Sequence, residues 1–266
     1  MIRGIDHLVV AVADPEAAAA ELASRVGLAC TGGGEHPGAG TSNRLAFLAD
    51  GSYLELIGVD DPAAARANPV GAASLRALEA VGEGLATFAL RDDDLEATLR
   101  TRPELGTRTH GSRQRPDGEV VEWWTAAPTE RLSPTVPFLI EHSYAGAEWG
   151  PDAMRARAEQ VHPIGSLVRL VRLDLAVEDP PLAAGELAST LGVPVQAVPD
   201  LAVVEVGAHV VRFLARRNMA LPAAVVLSAE VGTPVSIDLF GLRFLVEPST
   251  ALPARTVVTR AGGSAR

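Results

Sequence analysis

Two widely separated segments of the chain have nearly the same sequence. AVADPEAAAAELASRVGL (residues 11–28) and AVEDPPLAAGELASTLGV (residues 176–193) coincide at Ala-Val-x-Asp-Pro, at Glu-Leu-Ala-Ser and at a closing glycine. In each segment an apolar run leads to an aspartate that can cap a helix, a proline suits the first helical turn, and the glycine suits the helix end. The chain therefore uses one strand-then-helix unit at least twice, which restricts it to folds built from repeated units.

A weaker copy of this unit is GLATFALRDDDLEATL (residues 84–99). It has the same order of strand, cap and helix, with Asp92 as the expected cap and Leu85 at the position that His7 holds in the first unit. Three strand ends, YLELIG, FLIEHS and FLVEPS, each carry one glutamate within an apolar run. Residues 223–248 form a fourth copy, which has lost its helix or kept only a remnant of it.

The four units group into two domains. A chain of 266 residues with 47% apolar side chains is large enough to bury a core of this kind. We expect a first domain at 1–145, with units at 4–60 and 84–143, a linker at 146–165, a second domain at 166–250, and a flexible tail at 251–266.

Charge and cysteine content exclude several classes of function. A net charge of −10 without a basic block argues against binding to nucleic acid. No apolar run reaches the roughly 20 residues that span a bilayer, and the N-terminus lacks a signal-peptide pattern. The single cysteine, Cys30, cannot form an internal disulfide, which fits a reducing compartment. We expect a cytoplasmic protein that binds a small molecule, with no nucleic-acid or membrane partner.

His7 is the residue of the first strand that needs an explanation. It stands in GIDHLVVAVADP, where the other inward positions are aliphatic. Burying an imidazole without a hydrogen-bond partner costs a few kcal/mol. Either His7 has a partner inside the fold or it faces solvent.

The order of four segments resembles the glyoxalase-like branch of the vicinal oxygen chelate superfamily. The segments are GIDHLVVAVADP, GGEHPGAGTSNRLAFLADGSYLELIGVDDP, RPDGEVVEW and PFLIE. The resemblance covers residues 4–143 well and residues 168–248 only as an arrangement of units. It implies an α+β fold in which paired βαβββ units form open, cup-like mixed β-sheets with helices outside, here as two such barrels.

The resemblance also implies a divalent metal ion in the cup, such as Zn, Ni, Fe, Mn or Mg, that polarises neighbouring oxygens of a substrate. Carried over by position, the metal ligands are His7, Glu55 and Glu141, and the two glutamates are candidate catalytic acid and base. Leu85 fills the fourth ligand place and cannot bind a metal. Three protein ligands suffice chemically, yet the missing one leaves open a cup without metal.

The second pair of units departs further from this pattern. Arg172 replaces His7 and Val211 replaces Glu55, so only Glu247 keeps its counterpart. We expect no metal in the second cup, which instead covers the first cup or contributes to a homodimer contact.

Four further residues are candidates for contact with a small molecule. His36 lies on a glycine-rich loop, Asn43 opens a strand, Arg115 precedes a tight turn and can grip a carboxylate, and Trp123 can form an apolar wall.

Alternation along a strand leaves two choices open. Neighbouring residues of a strand face opposite sides, so only one of Glu141 and His142 enters the cup, and the same holds for Trp123 and Trp124. The comparison of units favours Glu141.

Two functions remain open at this point. The chain is either an enzyme that acts on a small oxygenated metabolite, as a lyase, isomerase or dioxygenase, or a metal-free protein of the same fold that sequesters a drug or other ligand. Buried carboxylates favour the enzyme, because they are costly without a cation or a proton nearby.

Overall fold

The computed structural model describes residues 2–115, 117–128 and 131–249. The segment expected as a tail, 251–266, lies outside these residues.

The first half of the chain forms one eight-stranded mixed sheet. Its order is β2-β3-β4-β1-β5-β8-β7-β6, with β1 and β5 antiparallel at the centre. The strands are β1 (Ile2–Ala11), β2 (Gly32–His36), β3 (Thr41–Phe47), β4 (Tyr53–Val59), β5 (Gly84–Asp92), β6 (Thr109–Gln114), β7 (Val120–Ala126) and β8 (Phe138–His142). β1 pairs in parallel with β4, and β5 does so with β8, so two groups of four strands meet along the central pair.

Four helices accompany this sheet. They are α1 (Pro15–Glu21), which continues as a π-helical turn (Leu22–Val26), α2 (Pro62–Ala65), α3 (Pro69–Val81) and α4 (Leu95–Thr101). The Asp14 carboxylate accepts hydrogen bonds from the first turn of α1, and Gly27, with φ at 79°, ends the helical segment as expected. None of the described helices combines the length and apolar character that crossing a membrane requires.

The cap of α4 is Asp94, not Asp92 as expected, because Asp94 is the residue whose carboxylate accepts from Ala97 N. This shifts the comparison with the first unit by two residues. Thr87 stands as far before Asp94 as His7 stands before Asp14, so Thr87 is the counterpart of His7 in the second unit. Leu85 instead packs in the core between the two sheets, and the Thr87 hydroxyl donates to the Val136 carbonyl at 3.1 Å.

The segment between the sheets, expected as a linker, contains two short helices. These are α5 (Gly146–Trp149) and α6 (Pro151–Ala158). Glu148 and Trp149 at the end of α5 are buried against the first sheet. This segment therefore contributes to the wall of the first sheet's interior.

The second half forms a seven-stranded sheet in the order β10-β11-β12-β9-β13-β15-β14. Its strands are β9 (Arg169–Val177), β10 (Val195–Val198), β11 (Leu201–Val206), β12 (His209–Ala215), β13 (Ala223–Ala229), β14 (Val235–Leu239) and β15 (Leu242–Pro248), with α7 (Pro180–Leu191) after β9. Asp179 caps α7 by accepting from Leu182 N at 3.0 Å. The described chain between β13 and β14 contains no helix, as expected for the fourth unit.

Ion pairs lie on one face of β9 in the second sheet. Asp174 accepts from Arg212 Nε at 2.7 Å, and Arg172 donates to Glu247 at 3.1 Å. In the aligned repeats Asp174 is the counterpart of Val9. Glu55 lies opposite Val9 in the first sheet, and Arg212 lies opposite Asp174 in the second. Arg212, and not Val211, therefore stands in the place of Glu55. Val211 is buried in the core.

The two sheets share one hydrophobic core. Side chains from the first sheet, such as Leu8, Val10 and Leu90, belong to the same cluster as Leu173 and Phe213 of the second sheet. This packing leaves the other face of the first sheet to surround a cavity.

Candidate functional site

A cavity of about 350 Å³ lies inside the first sheet, a volume that suits a small molecule. Strands β1, β2, β3, β4, β6, β7 and β8 contribute to its wall, together with the start of α3 and the end of α5. Much of the wall is apolar: it includes Ile57, Val70, Trp123, Leu132, Phe138 and Ile140. Polar side chains lie on both halves of the wall, on β1, β3 and β4 and again on β6, β8 and α5.

A bulge in β1 brings two neighbouring polar residues together. Ile5 pairs with Leu90 and His7 pairs with Ala89, which leaves Asp6 as the extra residue. As a result the Asp6 carboxylate reaches the ring of its own neighbour, with His7 Nδ1 and Asp6 Oδ1 2.9 Å apart. Both side chains are buried.

Asp6 holds two histidines and one arginine. Its Oδ1 also accepts from His142 Nε2 at 3.0 Å, and its Oδ2 accepts from Arg91 Nε at 2.9 Å. Burial alone raises the pKa of Asp6, but the charge and hydrogen bonds of His142 and His7 outweigh it and hold the pKa well below its usual value. Asp6 is therefore a carboxylate at neutral pH.

A carboxylate can only accept hydrogen bonds, so each histidine must donate to Asp6. His7 therefore carries a proton on Nδ1 and His142 carries one on Nε2. The ring of His7 is further fixed by stacking on Tyr53, with 4.5 Å between ring centroids. These contacts direct His7 Nε2 toward the opposite side of the site.

His7 Nε2 faces the carboxylate of Glu55, which lies on β4. The distance from Nε2 to Glu55 Oε2 is 3.5 Å, and both side chains are almost fully buried. An imidazole lone pair and a carboxylate would repel each other at this distance away from water. A proton shared by the pair, placed on His7 as an imidazolium or on Glu55 as a carboxylic acid, would remove this repulsion.

The other oxygen of Glu55 is held by Asn43. Asn43 Nδ2 donates to Glu55 Oε1 at 2.6 Å and lies 3.2 Å from His36 Nε2, while Asn43 Oδ1 accepts from Gly34 N at 3.0 Å. His36 Nδ1 is 2.9 Å from Thr41 Oγ1. Burial lowers the pKa of His36, so it is neutral at neutral pH and accepts from Asn43.

Several expected site residues lie on the wall of the cavity. The structure places His7, His36, Asn43, Glu55 and Trp123 there. Their roles stay predictions, but their proximity is now established.

Glu141 is a correction. It faces away from the cavity, where it accepts from Leu95 N at 3.1 Å and lies 3.6 Å from Arg108. The cavity side of β8 is taken by His142, which pairs with Trp123 across the strands, while Glu141 pairs with Trp124. Neighbouring residues of β8 face opposite sides, and the Glu141 carboxylate accepts from the backbone N–H of Leu95 on the side away from the cavity.

Arg115 is a second correction. It does not line the cavity, and its guanidinium contacts Asp117 and Glu148 instead. The arginine on the cavity wall is Arg113, two residues earlier on β6, and it also donates to Glu148.

The donors of the site do not fit the three-ligand metal centre that the resemblance implied. Within residues 2–115, 117–128 and 131–249, no three His, Cys, Asp or Glu side chains are grouped to hold a metal ion. His7 and Glu55 face one another, but His142 directs Nε2 to Asp6 and Glu141 points away.

Sequence reasoning missed the residues that support the site. Asp6 and Arg91 lie next to apolar strand residues, and a bulge leaves no pattern that a single sequence displays. Glu148 and Trp149 fall in a segment whose composition resembles a linker. The one available signal in the sequence was the aspartate that directly precedes His7 in an otherwise apolar strand.

Comparison with known proteins places the chain in a family. Residues 5–191 match the sequence model of the glyoxalase-like domain. No curated protein matches the chain.

Solved structures resemble the chain at low sequence identity. A hypothetical protein from Staphylococcus aureus is 13% identical with a TM-score of 0.74, covering 93% of this chain and 100% of its own. A variant of methylmalonyl-CoA epimerase from Streptomyces coelicolor, in complex with 2-nitronate-propionyl-CoA, is 20% identical with a TM-score of 0.40, covering 54% and 99%. Methylmalonyl-CoA epimerase of Mycobacterium tuberculosis is 19% identical with a TM-score of 0.37, covering 52% and 87%.

The match to the family covers most of the chain, and the first of these structures shares its fold over nearly the whole length. The chain belongs to the glyoxalase-like domain family.

Proposed function

We propose that the chain is an enzyme that moves a proton on a small oxygenated molecule bound in the cavity. The observation that carries this proposal is the buried pair of Glu55 Oε2 and His7 Nε2, 3.5 Å apart on the cavity wall. A carboxylate and an imidazole that share one proton are suited to general acid–base catalysis.

The reaction class follows from these two groups. The Glu55 carboxylate removes a proton from a carbon next to a carbonyl, and the electron pair of the C–H bond moves to the carbonyl oxygen. The N–H of protonated His7 stabilises the resulting oxyanion by a hydrogen bond. Return of the proton to a neighbouring atom completes an isomerisation, and loss of a leaving group instead completes a lyase reaction.

The surrounding residues support these two roles. Asn43 fixes one oxygen of Glu55 so that the other faces the substrate and His7. Asp6 holds the His7 ring by Nδ1 and stabilises its positive charge when Nε2 is protonated.

The proposed step uses only side chains of this chain. A divalent ion at the same place would have the facing donors of His7 and Glu55 but no third grouped His, Cys, Asp or Glu among the described residues. We therefore assign no part of the step to a metal ion.

A second candidate function rests on the apolar wall. Trp123, Leu132, Phe138 and Ile140 would also hold a ligand that undergoes no reaction. In this case the chain sequesters a small molecule.

Deuterium exchange separates the two candidates. The protein is incubated in D2O with a panel of hydroxy ketones, 2-oxoaldehydes and 2-oxo acids, and loss of the C–H signal next to the carbonyl is followed by proton NMR. We expect at least one compound to exchange, and Glu55→Gln to slow that exchange by about 100-fold or more. Glu122→Gln, on the partly exposed pair with His110, is the matched control and should exchange like the unmodified protein.

Equal exchange rates in Glu55→Gln and the unmodified protein would contradict the role of Glu55. Compounds that raise the melting temperature but never exchange would favour the second candidate.

A further inference from the structure

Among the described residues of the cavity wall, Arg113 is the one lysine or arginine, and a carboxylate already neutralises it. Its side chain is 5% exposed and donates to Glu148 Oε1. Glu148 Oε2 accepts from Arg115 Nη1 at 3.1 Å. The Glu148 carboxylate thus lies between two guanidinium groups and is itself buried on the same wall.

Glu148 is held in place by the backbone of α5. The helix starts at Gly146, whose φ of 71° lies in the left-handed region, and Ala147 N donates to both oxygens of Glu119 at 2.8 and 3.1 Å. On the other side, Trp149 stacks on the ring of His142 with 3.9 Å between centroids. The carboxylate is therefore positioned by the fold on both sides.

The other charged groups that the structure places on the cavity wall are already paired. Arg91 is bound to Asp6, and Glu55 presents a carboxylate to the interior. Protonated His7 is already paired with Glu55. An anionic ligand would therefore meet no uncompensated cation on the described wall, and burying an unpaired charge is costly. The rest of the wall is largely apolar.

We propose that Glu148 makes the cavity selective for uncharged ligands, which combine an apolar body with one oxygenated head group. This inference deepens the proposed function by naming its substrate class. It also replaces the expectation that an arginine grips a substrate carboxylate, because Glu148 occupies that place.

The test uses benzamide and benzoate, which have nearly the same shape and differ in charge. Binding is followed at the indole N–H signal of Trp123, assigned with Trp123→Phe. We expect the unmodified protein to bind benzamide about tenfold more tightly than benzoate or better. Glu148→Gln frees Arg113, so it should strengthen benzoate binding by about tenfold while benzamide changes by less than about threefold.

The matched control removes both charges. In the double variant Arg113→Gln with Glu148→Gln no cation is released, so the binding of benzoate should stay weak. The comparison of the two probes on the unmodified protein requires no variant and stands even if one fails to fold.

Three outcomes would overturn the inference. They are equal or tighter binding of benzoate by the unmodified protein, no binding of benzamide, and an unchanged ratio in folded Glu148→Gln. Neither probe has to react, so a failed exchange experiment would refute the proposed catalysis without affecting this result.

Discussion

Asp6 determines what the histidines of this site can do. One buried carboxylate accepts from His7 Nδ1 and His142 Nε2, which fixes the tautomer of both rings and leaves His7 Nε2 toward Glu55. The chemistry of the site therefore depends on a residue that does not line the cavity.

The sequence predicted some of these residues and not others. His7 was conspicuous as a polar residue in an apolar strand, and Glu55 was implied by the resemblance to the glyoxalase-like branch. The structure brings the two together. Glu141 could not be distinguished from His142, since alternation predicts that one of two neighbours faces inward without saying which. The inward position of Asp6 could not be predicted, because it results from the bulge in β1. That bulge arises where β1 pairs with β5, whose residues lie far along the chain.

At the scale of elements, helix caps were predictable where one aspartate was available. Asp14 and Asp179 cap their helices as expected. The run Asp92-Asp93-Asp94 offered three candidates, and the geometry of the turn after β5 selects the last. α5 was missed because a four-residue helix between glycines has no periodic pattern, and its burial comes from contacts with the first sheet.

His162 joins the segment after α6 to the first sheet, and it makes stability depend on pH. His162 Nδ1 accepts from Ala29 N at 3.2 Å, Nε2 donates to the Phe47 carbonyl at 2.9 Å, and the residue is 2% exposed. Burial lowers the pKa of His162, although its bond to Phe47 acts in the opposite direction. The folded protein therefore prefers the neutral ring, which the bond from Ala29 N requires because Nδ1 accepts only when it carries no proton.

We expect the free energy of unfolding to fall as pH decreases below about 6.5, the ordinary histidine pKa. In this range the unfolded chain takes up a proton that folded His162 does not, which costs up to about 1.4 kcal/mol per pH unit. Below the folded pKa this contribution levels off. Urea unfolding at pH 7.5 and 5.5 measures the effect.

The variant His162→Gln should be less stable at pH 7.5 and should lose part of this pH dependence. His36, whose pKa is also lowered, contributes to the pH dependence that remains. His110→Gln, at a half-exposed histidine, is the control and should keep the full dependence. An identical pH dependence in His162→Gln and the unmodified protein would show that His162 does not carry it.

At the scale of the whole molecule, the two sheets form one core. Residues from both belong to one hydrophobic cluster, and backbone bonds such as Ala208 N to Arg3 O at 3.0 Å join them directly. His209 adds a side-chain link by accepting from Ile5 N at 3.0 Å and contacting Asp50 at 2.9 Å. A homodimer, expected from the sequence, stays a prediction.

This shared core predicts a single unfolding transition. All three tryptophans, at positions 123, 124 and 149, precede the second sheet, so their fluorescence reports on the first half, while far-ultraviolet circular dichroism reports on both. We expect the two urea transitions to coincide. Separate midpoints would mean that the halves unfold independently.

The proton shared by His7 and Glu55 is central to the proposed chemistry, and the nitrogen NMR signals of the His7 ring test it directly. In protein labelled with nitrogen-15 at histidine, assigned with His7→Gln, we expect Nδ1 to be protonated at neutral pH. The chemical shift of Nε2 should lie between those of a protonated and an unprotonated ring nitrogen. In Glu55→Gln it should move to the unprotonated value. An unprotonated Nδ1, or an Nε2 signal that is the same in both proteins, would contradict the shared proton.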